Sequence, residues 1–332
     1  MLSQNHFEIT ETIYESDNST IYKAREKKSG KEVVLKQGKG AANAGLYNEY
    51  KLYLEQSGDF TDVELTEYSQ LPALVRQYFT GTSLRFVIDN LNSFGVDFFF
   101  RYCFLIIDEL KKIHKNGIIH KDISPDNILL DPEENKVHII DFELGTQQQY
   151  QQTNYKGASV IEGTLHYISP EQTGRMNRVI DYRADIYSLG VIFYEMLSGT
   201  KPFDNEDALE LIHCHIALLP KPLSSHNPQI PEILSRIVEK LMAKNAEDRY
   251  QSLVGLRIDL EHCHAEWQKN RKIEPFELGK GDMPVRLNVS QKLVGRKAEI
   301  DKIFELFEQS AQGKKVLLEV KGMSGVGKTM LI

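Results

Sequence analysis

Ten residues, Ile118 to Asn127, read I-I-H-K-D-I-S-P-D-N, and a further acid, Asp141, follows in I-I-D-F. Two short apolar runs, N-I-L-L and K-V-H-I-I-D-F, flank the turn D-P-E-E-N, so they read as a hairpin with Asn127 and Asp141 at its two ends. Asp122 can accept a proton from a hydroxyl, and Asn127 and Asp141 offer the hard oxygen ligands that magnesium takes. Those are the groups that phosphoryl transfer asks a protein to supply. Taken singly, each acid would be no more than a cap or an Asx-turn residue. Their joint spacing with a lysine and a glutamate upstream makes coincidence improbable.

That lysine is Lys36, at the end of E-V-V-L-K. Residues 7–37 read as strands broken by a Ser29-Gly30 turn, and the helical A-G-L-Y-N-E-Y-K-L-Y-L-E then offers Glu49 as a partner for Lys36. A pair at ~4 Å in an effective dielectric near 20 is worth roughly 4 kcal/mol before desolvation, enough to position an ammonium. From Val96 to Lys115, apolar residues recur at Phe99, Tyr102, Ile106, Leu110 and Ile113. The spacing predicts one buried helix face that stops at Gly117.

Composition removes several alternatives. A formal charge of -7 speaks against a general nucleic-acid or membrane surface. The three cysteines (Cys103, Cys214, Cys263) show neither disulfide-framework nor zinc spacing, which fits a reducing cytosol. The N-terminus has no signal-like segment, and the most apolar run, Phe98 to Ile107, is too short for a span of ~20 residues. A soluble, cytoplasmic protein is expected.

Together these motifs resemble the catalytic loop and metal-binding strand of a protein kinase. The resemblance implies an α+β, two-lobed kinase fold, with a small β-rich N-lobe over about 1–80 and a mostly helical C-lobe over about 81–268. It implies ATP and Mg2+ as cofactors. Asp122 would orient the substrate hydroxyl, Asn127 and Asp141 would hold the metal, Lys36 would position the phosphates, and Glu49 would position Lys36. Ile13, Ile21, Val34 and Leu129 would surround the adenine, and Gln77 to Phe79 would offer it backbone groups from the hinge. Thr164, in G-T-L-H-Y-I-S-P-E, is the usual partner of the catalytic acid in serine/threonine kinases, so protein Ser or Thr is the expected substrate. Glu171 and Arg249 resemble a buried ion pair, Asp185 is expected to hold the catalytic loop's backbone, and Thr153 and Ser159 are possible phosphosites in a polar activation segment.

Several positions depart from the family. Tyr14, Ser16 and Ser19 stand where kinases carry glycines, which leaves Ser16, Asn18 and Ser19 to donate side-chain hydrogen bonds to phosphate instead. Arg76 falls where an apolar residue usually closes the back of the pocket, unless the register is off by one. Lys121 replaces an arginine, Ser124 replaces a lysine aimed at the γ-phosphate, and Glu143 replaces the glycine after Asp141-Phe142. These departures keep open a rival reading, a pseudokinase acting as a nucleotide-binding regulatory or scaffold module.

The runs S-P-E-Q-T-G-R-M-N-R-V-I-D-Y-R-A-D-I-Y-S-L-G and A-K-N-A-E-D-R-Y-Q-S resemble more narrowly the kinase domain that opens large microbial signalling proteins, ahead of a P-loop ATPase, sensory modules and often a histidine kinase. A polar stretch over 269–292 reads as a linker. Residues 293–332 then read as the start of the ATPase: an amphipathic helix with Ile300, Ile303, Phe304 and Phe307 on one side, a strand K-V-L-L-E-V, and G-M-S-G-V-G-K-T. In that last motif Gly322, Gly327 and Lys328 would cradle phosphates and Thr329 would reach magnesium. About forty residues cannot bury a domain-sized core, so this end is expected to be loosely ordered and inactive alone, part of something longer.

Overall fold

Five antiparallel strands open the chain: β1 (Phe7–Glu15), β2 (Ser19–Glu26), β3 (Glu32–Gly38), β4 (Glu64–Tyr68) and β5 (Leu71–Gln77). They lie in the order β1-β2-β3-β5-β4, and helix α1 (Asn43–Glu55) connects β3 to β4. Period-two alternation decides what each face carries. Leu35 of β3 turns into a small apolar cluster with Phe7, Ala24, Ala73 and Val75. Val34 and Lys36 therefore face the other way, with Arg76 and Leu74 of β5 opposite them in register. The computed structural model describes residues 6–40, 43–55, 63–90, 95–147, 163–176, 178–283 and 296–321. The chain divides into two compact units, Met1–Met283 and Pro284–Ile332.

Tyr78 to Thr80 lead out of the sheet to Gly81, where φ is +130° and an added Cβ would stand 2.4 Å from the Leu130 carbonyl oxygen. Only glycine fits so close to another backbone. Beyond it come β6 (Thr82–Ser83), α2 (Leu84–Asn90), α3 (Val96–Lys115), β7 (Ile118–Ile119), β8 (Ile128–Asp131), β9 (Lys136–Ile139), β10 (Thr146–Gln147), α4 (Arg183–Ser198), α5 (Ala208–Ala217), α6 (Glu232–Leu241) and α7 (Leu253–Asn270). The short strands form two small sheets, β6-β8-β9 and β10-β7. The β8–β9 hairpin is the one expected from the sequence, and α3 buries Phe99, Tyr102, Ile106, Leu110 and Ile113 as expected. In α4 every residue from Arg183 to Leu197 is buried, which makes it the centre of the helical lobe.

Buried ionisable groups in that lobe tie stability to pH. His215 of α5 meets the Tyr187 hydroxyl through Nδ1 at 3.0 Å. Burial, aided by the Lys244 ammonium, pushes its imidazole down to about 3. An unfolded imidazole titrates near 6.5. Between pH 6.5 and 3 the unfolded chain therefore takes a proton that the folded chain refuses, and stability falls with pH by up to about 1.4 kcal/mol per unit. Urea unfolding at pH 7 and pH 5 should show a loss in the wild type about 2 kcal/mol larger than in His215→Gln. Equal losses would assign the acid sensitivity to other groups.

Residues 271–283, the first half of the stretch expected to be a linker, belong to the first unit. Ile273 is buried, Phe276 and Leu278 pack on the same core, and the Asp282 carboxylate accepts hydrogen bonds from the Gln251 N–H (2.6 Å) and the Ser252 hydroxyl (2.9 Å). A polar composition concealed three apolar anchors.

In the second unit, α8 (Lys297–Ala311) is the expected helix, and Phe304 and Phe307 on it are exposed. Residues 314–321 are not a strand, contrary to the reading of K-V-L-L-E-V. A strand must pair its backbone groups, and none pairs with this one among the described residues. The motif G-M-S-G-V-G-K-T, with Gly322, Gly327, Lys328 and Thr329, lies outside the described residues, as do Thr153 and Ser159. No helix among the described residues is long and apolar enough to cross a membrane.

Candidate active site

The site grows from the face of β3 that carries Lys36. Its ammonium meets Glu49 Oε2 of α1 at 2.8 Å, Asp141 Oδ1 at 3.0 Å and Glu143 Oε1 at 2.9 Å. Burial works against the charged amine, but the three carboxylates outweigh it and raise Lys36 well above its ordinary value. Burial likewise pushes the Asp141 carboxyl up, and the Lys36 ammonium more than reverses this, leaving it below the usual range. Glu143 goes the other way: burial and the charges of Asp141 and Glu49 together exceed the pull of Lys36, so its carboxyl is raised.

Glu143 stands where the motif would have glycine, yet the backbone does not strain there. The left-handed residue is Asp141, at φ +69°. Gly45 of α1 leaves room for the Glu143 side chain, since a Cβ there would lie 3.1 Å from Oε2. Asn48 of α1 then donates its amide to the carbonyls of Glu143 and Gly145, each at 2.9 Å. The ring of Phe142 sits between Tyr53 of α1 (5.1 Å) and His120 of the catalytic loop (4.7 Å). No motif in the sequence marks Asn48 or Gly45. An asparagine beside Glu49 in a helix interior was the available signal, because asparagine disfavours that setting without a backbone partner.

His120 carries the connection onward. Its Nδ1 accepts from the Asp122 N–H at 3.3 Å, so Nε2 donates to the Ile140 carbonyl, 3.1 Å away and one residue before Asp141. Asp185 of α4, fully buried, accepts from the backbone N–H of His120 (2.9 Å) and of Lys121 (2.8 Å), and contacts His114 Nε2 at 2.8 Å. Burial would raise this carboxyl, but His114 and the neighbouring donors hold it below its ordinary value. Those bonds fix Lys121 at φ +67°, a conformation that costs a lysine of order 1–3 kcal/mol.

Asp122 is consequently presented with both oxygens engaged. Oδ1 accepts from the Thr164 N–H (2.8 Å) and hydroxyl (2.9 Å), and Oδ2 accepts from Asn127 Nδ2 (3.1 Å). Asn127 Nδ2 also donates to the Asp122 carbonyl at 2.9 Å. A carbonyl only accepts, so this contact settles which end of the amide is nitrogen and leaves Asn127 Oδ1 as the ligand atom. The Asn127 carbonyl accepts from the Ile140 N–H at 2.9 Å, which ties this amide to the strand leading to Asp141. Magnesium suits the chemistry of the donors, oxygens from Asn127 and Asp141, while the neighbouring cluster of Glu49, Asp141 and Glu143 closes on the Lys36 ammonium.

The positions expected to surround the base differ in exposure. Val34 is buried, Ile21 and Leu129 are half-buried, and Ile13 lies in a β1 bulge with 47% of its surface exposed. Phe79 stacks on His138 of β9 at 3.9 Å, and the Gln77 side chain is exposed. One of the expected substitutes does not serve as read. The Ser16 hydroxyl closes its own turn, accepting from the N–H groups of Asn18 (3.3 Å) and Ser19 (3.2 Å) and lying 3.2 Å from the Ser19 carbonyl, so it does not replace a glycine-rich phosphate grip. Ser124, which stands where the family has a lysine, is fully buried.

A family model described as the protein kinase domain matches residues 7–257. The chain belongs to the protein kinase family. Kinases of this family use ATP and Mg2+. Hybrid signal transduction histidine kinase G of Dictyostelium discoideum is 40% identical over 189 residues, 51% of this chain and 6% of that protein. A probable serine/threonine-protein kinase of Clostridium perfringens is 28% identical over 265 residues, 77% of this chain and 38% of the relative. Serine/threonine-protein kinase PknB of Mycobacterium tuberculosis is 31% identical over 202 residues, 60% and 31% respectively. The kinase chain thus matches well under half the length of each of these relatives.

Proposed function

We propose that this kinase domain transfers the γ-phosphoryl group of ATP to serine or threonine hydroxyls of proteins. The observation that carries the reading is the set of contacts that runs from Lys36 to Asp141, along the backbone to Ile140, and through His120 to Asp122 and Asn127. Lys36, held by Glu49, positions the phosphates. Asp122 orients the acceptor hydroxyl and takes its proton as the oxygen attacks the γ-phosphorus and ADP leaves. Thr164 Oγ1, bonded to Asp122, holds the carboxylate at the acceptor end. Asn127 and Asp141 would hold magnesium, which supplies charge neutralisation at the phosphates. Ile13, Ile21, Val34 and Leu129 would enclose the adenine, with backbone groups of Gln77 and Phe79 at its edge.

The names of two relatives support the serine/threonine assignment, and the Dictyostelium match, to 6% of a hybrid signal transduction histidine kinase, supports a place within a larger signalling protein; the position at its head and a cytoplasmic location are carried by the sequence alone. In that reading residues 1–268 are the kinase domain, 269–292 lead out of it only after 271–283 have packed on its core, and 293–332 begin a P-loop ATPase that binds nucleotide through Gly322, Gly327, Lys328 and Thr329. The Glu143 carboxylate on Lys36 favours a second reading, a nucleotide-binding regulatory module, because it competes with phosphate for the same ammonium.

Incubation with γ-labelled ATP, magnesium and an unstructured acceptor such as casein separates the two. Acid hydrolysis of the labelled acceptor should release phosphoserine or phosphothreonine, and EDTA should abolish the label. Nucleotide binding without any transferred label would leave only the regulatory module.

A further inference from the structure

The acceptor side of the catalytic acid carries an arginine that no step above uses. Arg85 of α2 lays its guanidinium along the Glu195 carboxylate of α4, Nη1 to Oε1 at 2.9 Å and Nη2 to Oε2 at 3.4 Å. Nη2 also donates to the Tyr167 hydroxyl, which in turn donates to Glu195 Oε2 at 2.5 Å. On its other edge Nε lies 3.7 Å from Asp126 Oδ2, and Nη1 donates to Asp89 of the same helix at 3.3 Å. One cation thus stands among three carboxylates, of which Glu195 is buried and Asp126 and Asp89 are exposed. A carboxylate at the depth of Glu195 is costly without a partner charge, and Arg85 supplies it.

Two sets of contacts put this cluster beside the transfer chemistry. Asp126 precedes Asn127 in the turn Pro125–Asn127, and the Asn127 amide is bonded to Asp122. The Tyr167 N–H donates to the Thr164 carbonyl at 2.9 Å, and Thr164 is the residue that grips Asp122. An extended acceptor chain with its hydroxyl at Asp122 covers ~7–10 Å in two or three further residues, enough to come level with Asp126 and Arg85. What a basic residue there would meet depends on Arg85. While its guanidinium is in place the buried acid is already paired, and only the exposed Asp126 and Asp89 remain to attract a cation, an interaction worth little in water. The Arg85 side chain is itself 20% exposed, so the space it fills opens to solvent. Vacated, that space would offer a guanidinium from another chain the same two-oxygen partner.

We propose that Arg85 determines acceptor specificity: it fills, from within the chain, an acidic pocket that would otherwise bind an arginine close to the phosphorylated hydroxyl, and so keeps the kinase indifferent to basic acceptor sequences. The inference rests on the reading that Asp122 receives the acceptor hydroxyl. A site discriminates most strongly through a buried polar group that one ligand pairs and another leaves unpaired. Glu195 is that group, and Arg85 has removed it from the choice.

Phosphorylation of degenerate serine peptide pools by the whole chain tests this, each pool fixing arginine or alanine at one of the three positions on either side of the serine. The wild type should label no arginine pool more than about fivefold better than its alanine counterpart, the reach of exposed ion pairs. In Arg85→Ala and Arg85→Gln, each checked for a cooperative melt, the arginine-to-alanine ratio at one position should rise at least about tenfold, as a charge-assisted two-oxygen pair allows. Adding Glu195→Gln to Arg85→Ala should remove the gain. A wild type that already favours arginine beyond fivefold overturns the inference alone, as does a ratio unchanged in the folded variants or a gain that survives Glu195→Gln. Absence of label from every pool overturns it together with the reading it rests on.

Discussion

Asp122→Asn should lower phosphoryl transfer by about 10²–10⁴-fold, the range over which a positioned general base contributes. The substitution keeps the size of the side chain and removes its ability to take a proton. It also disturbs its own surroundings, because the wild-type carboxylate accepts from Thr164 on one oxygen and from Asn127 on the other. An amide has only one accepting end, so one of those contacts becomes donor against donor. Lys36, Glu49 and Asp141 are untouched, and ATP affinity should change by less than about threefold, since the lost interaction belongs to the transition state. Single-turnover transfer beside calorimetric ATP binding reads both quantities. A variant that transfers within threefold of the wild type would take Asp122 out of the chemistry.

How far the sequence carried the argument depended on how far apart the interacting residues lie. Asp122, Asn127 and Asp141 were legible because one loop and one hairpin set their spacing, and α3 was legible because its buried face repeats along the chain. The role of Glu143 was not. As a substitution it reads as a stray charge near a metal, whereas its contact with Lys36 depends on Gly45 in a helix far upstream leaving space for it. Ser16 was misread for the opposite reason: a hydroxyl that might serve a ligand is spent within a turn of four residues. For Arg76 the strand pairing removed the ambiguity of register, since a one-residue slip would have turned it to the other face of the sheet. The docking of residues 271–283 rests on single apolar residues in a polar run, a pattern too sparse to show periodicity.

Loss of Arg249 should produce the largest fall in stability of any single substitution considered, about 3–5 kcal/mol for Arg249→Met, because it leaves a buried charge behind. All five of its donors are engaged. Nη1 and Nη2 reach the two oxygens of Glu171 at 2.7 and 2.8 Å, and the remaining N–H groups go to the carbonyls of Arg183 (2.8 Å), Lys244 (3.1 Å) and Ala243 (2.8 Å). Arg249→Lys should recover little, since an ammonium cannot reproduce the planar fork. The consequence also reaches the active site. Glu171 lies in the turn Pro170–Thr173, whose Gln172 donates to the Lys121 carbonyl at 2.7 Å, and a short way upstream Thr164 grips Asp122. Removing the pair therefore loosens the segment that holds the catalytic acid from one side. Pairing Arg249→Met with Glu171→Leu should restore part of the lost stability, because the orphaned carboxylate goes too. Urea unfolding of the three variants reads this directly. A loss below about 1 kcal/mol for Arg249→Met, or a double variant no better than the single, would show that the pair is not the tie between activation segment and helical lobe.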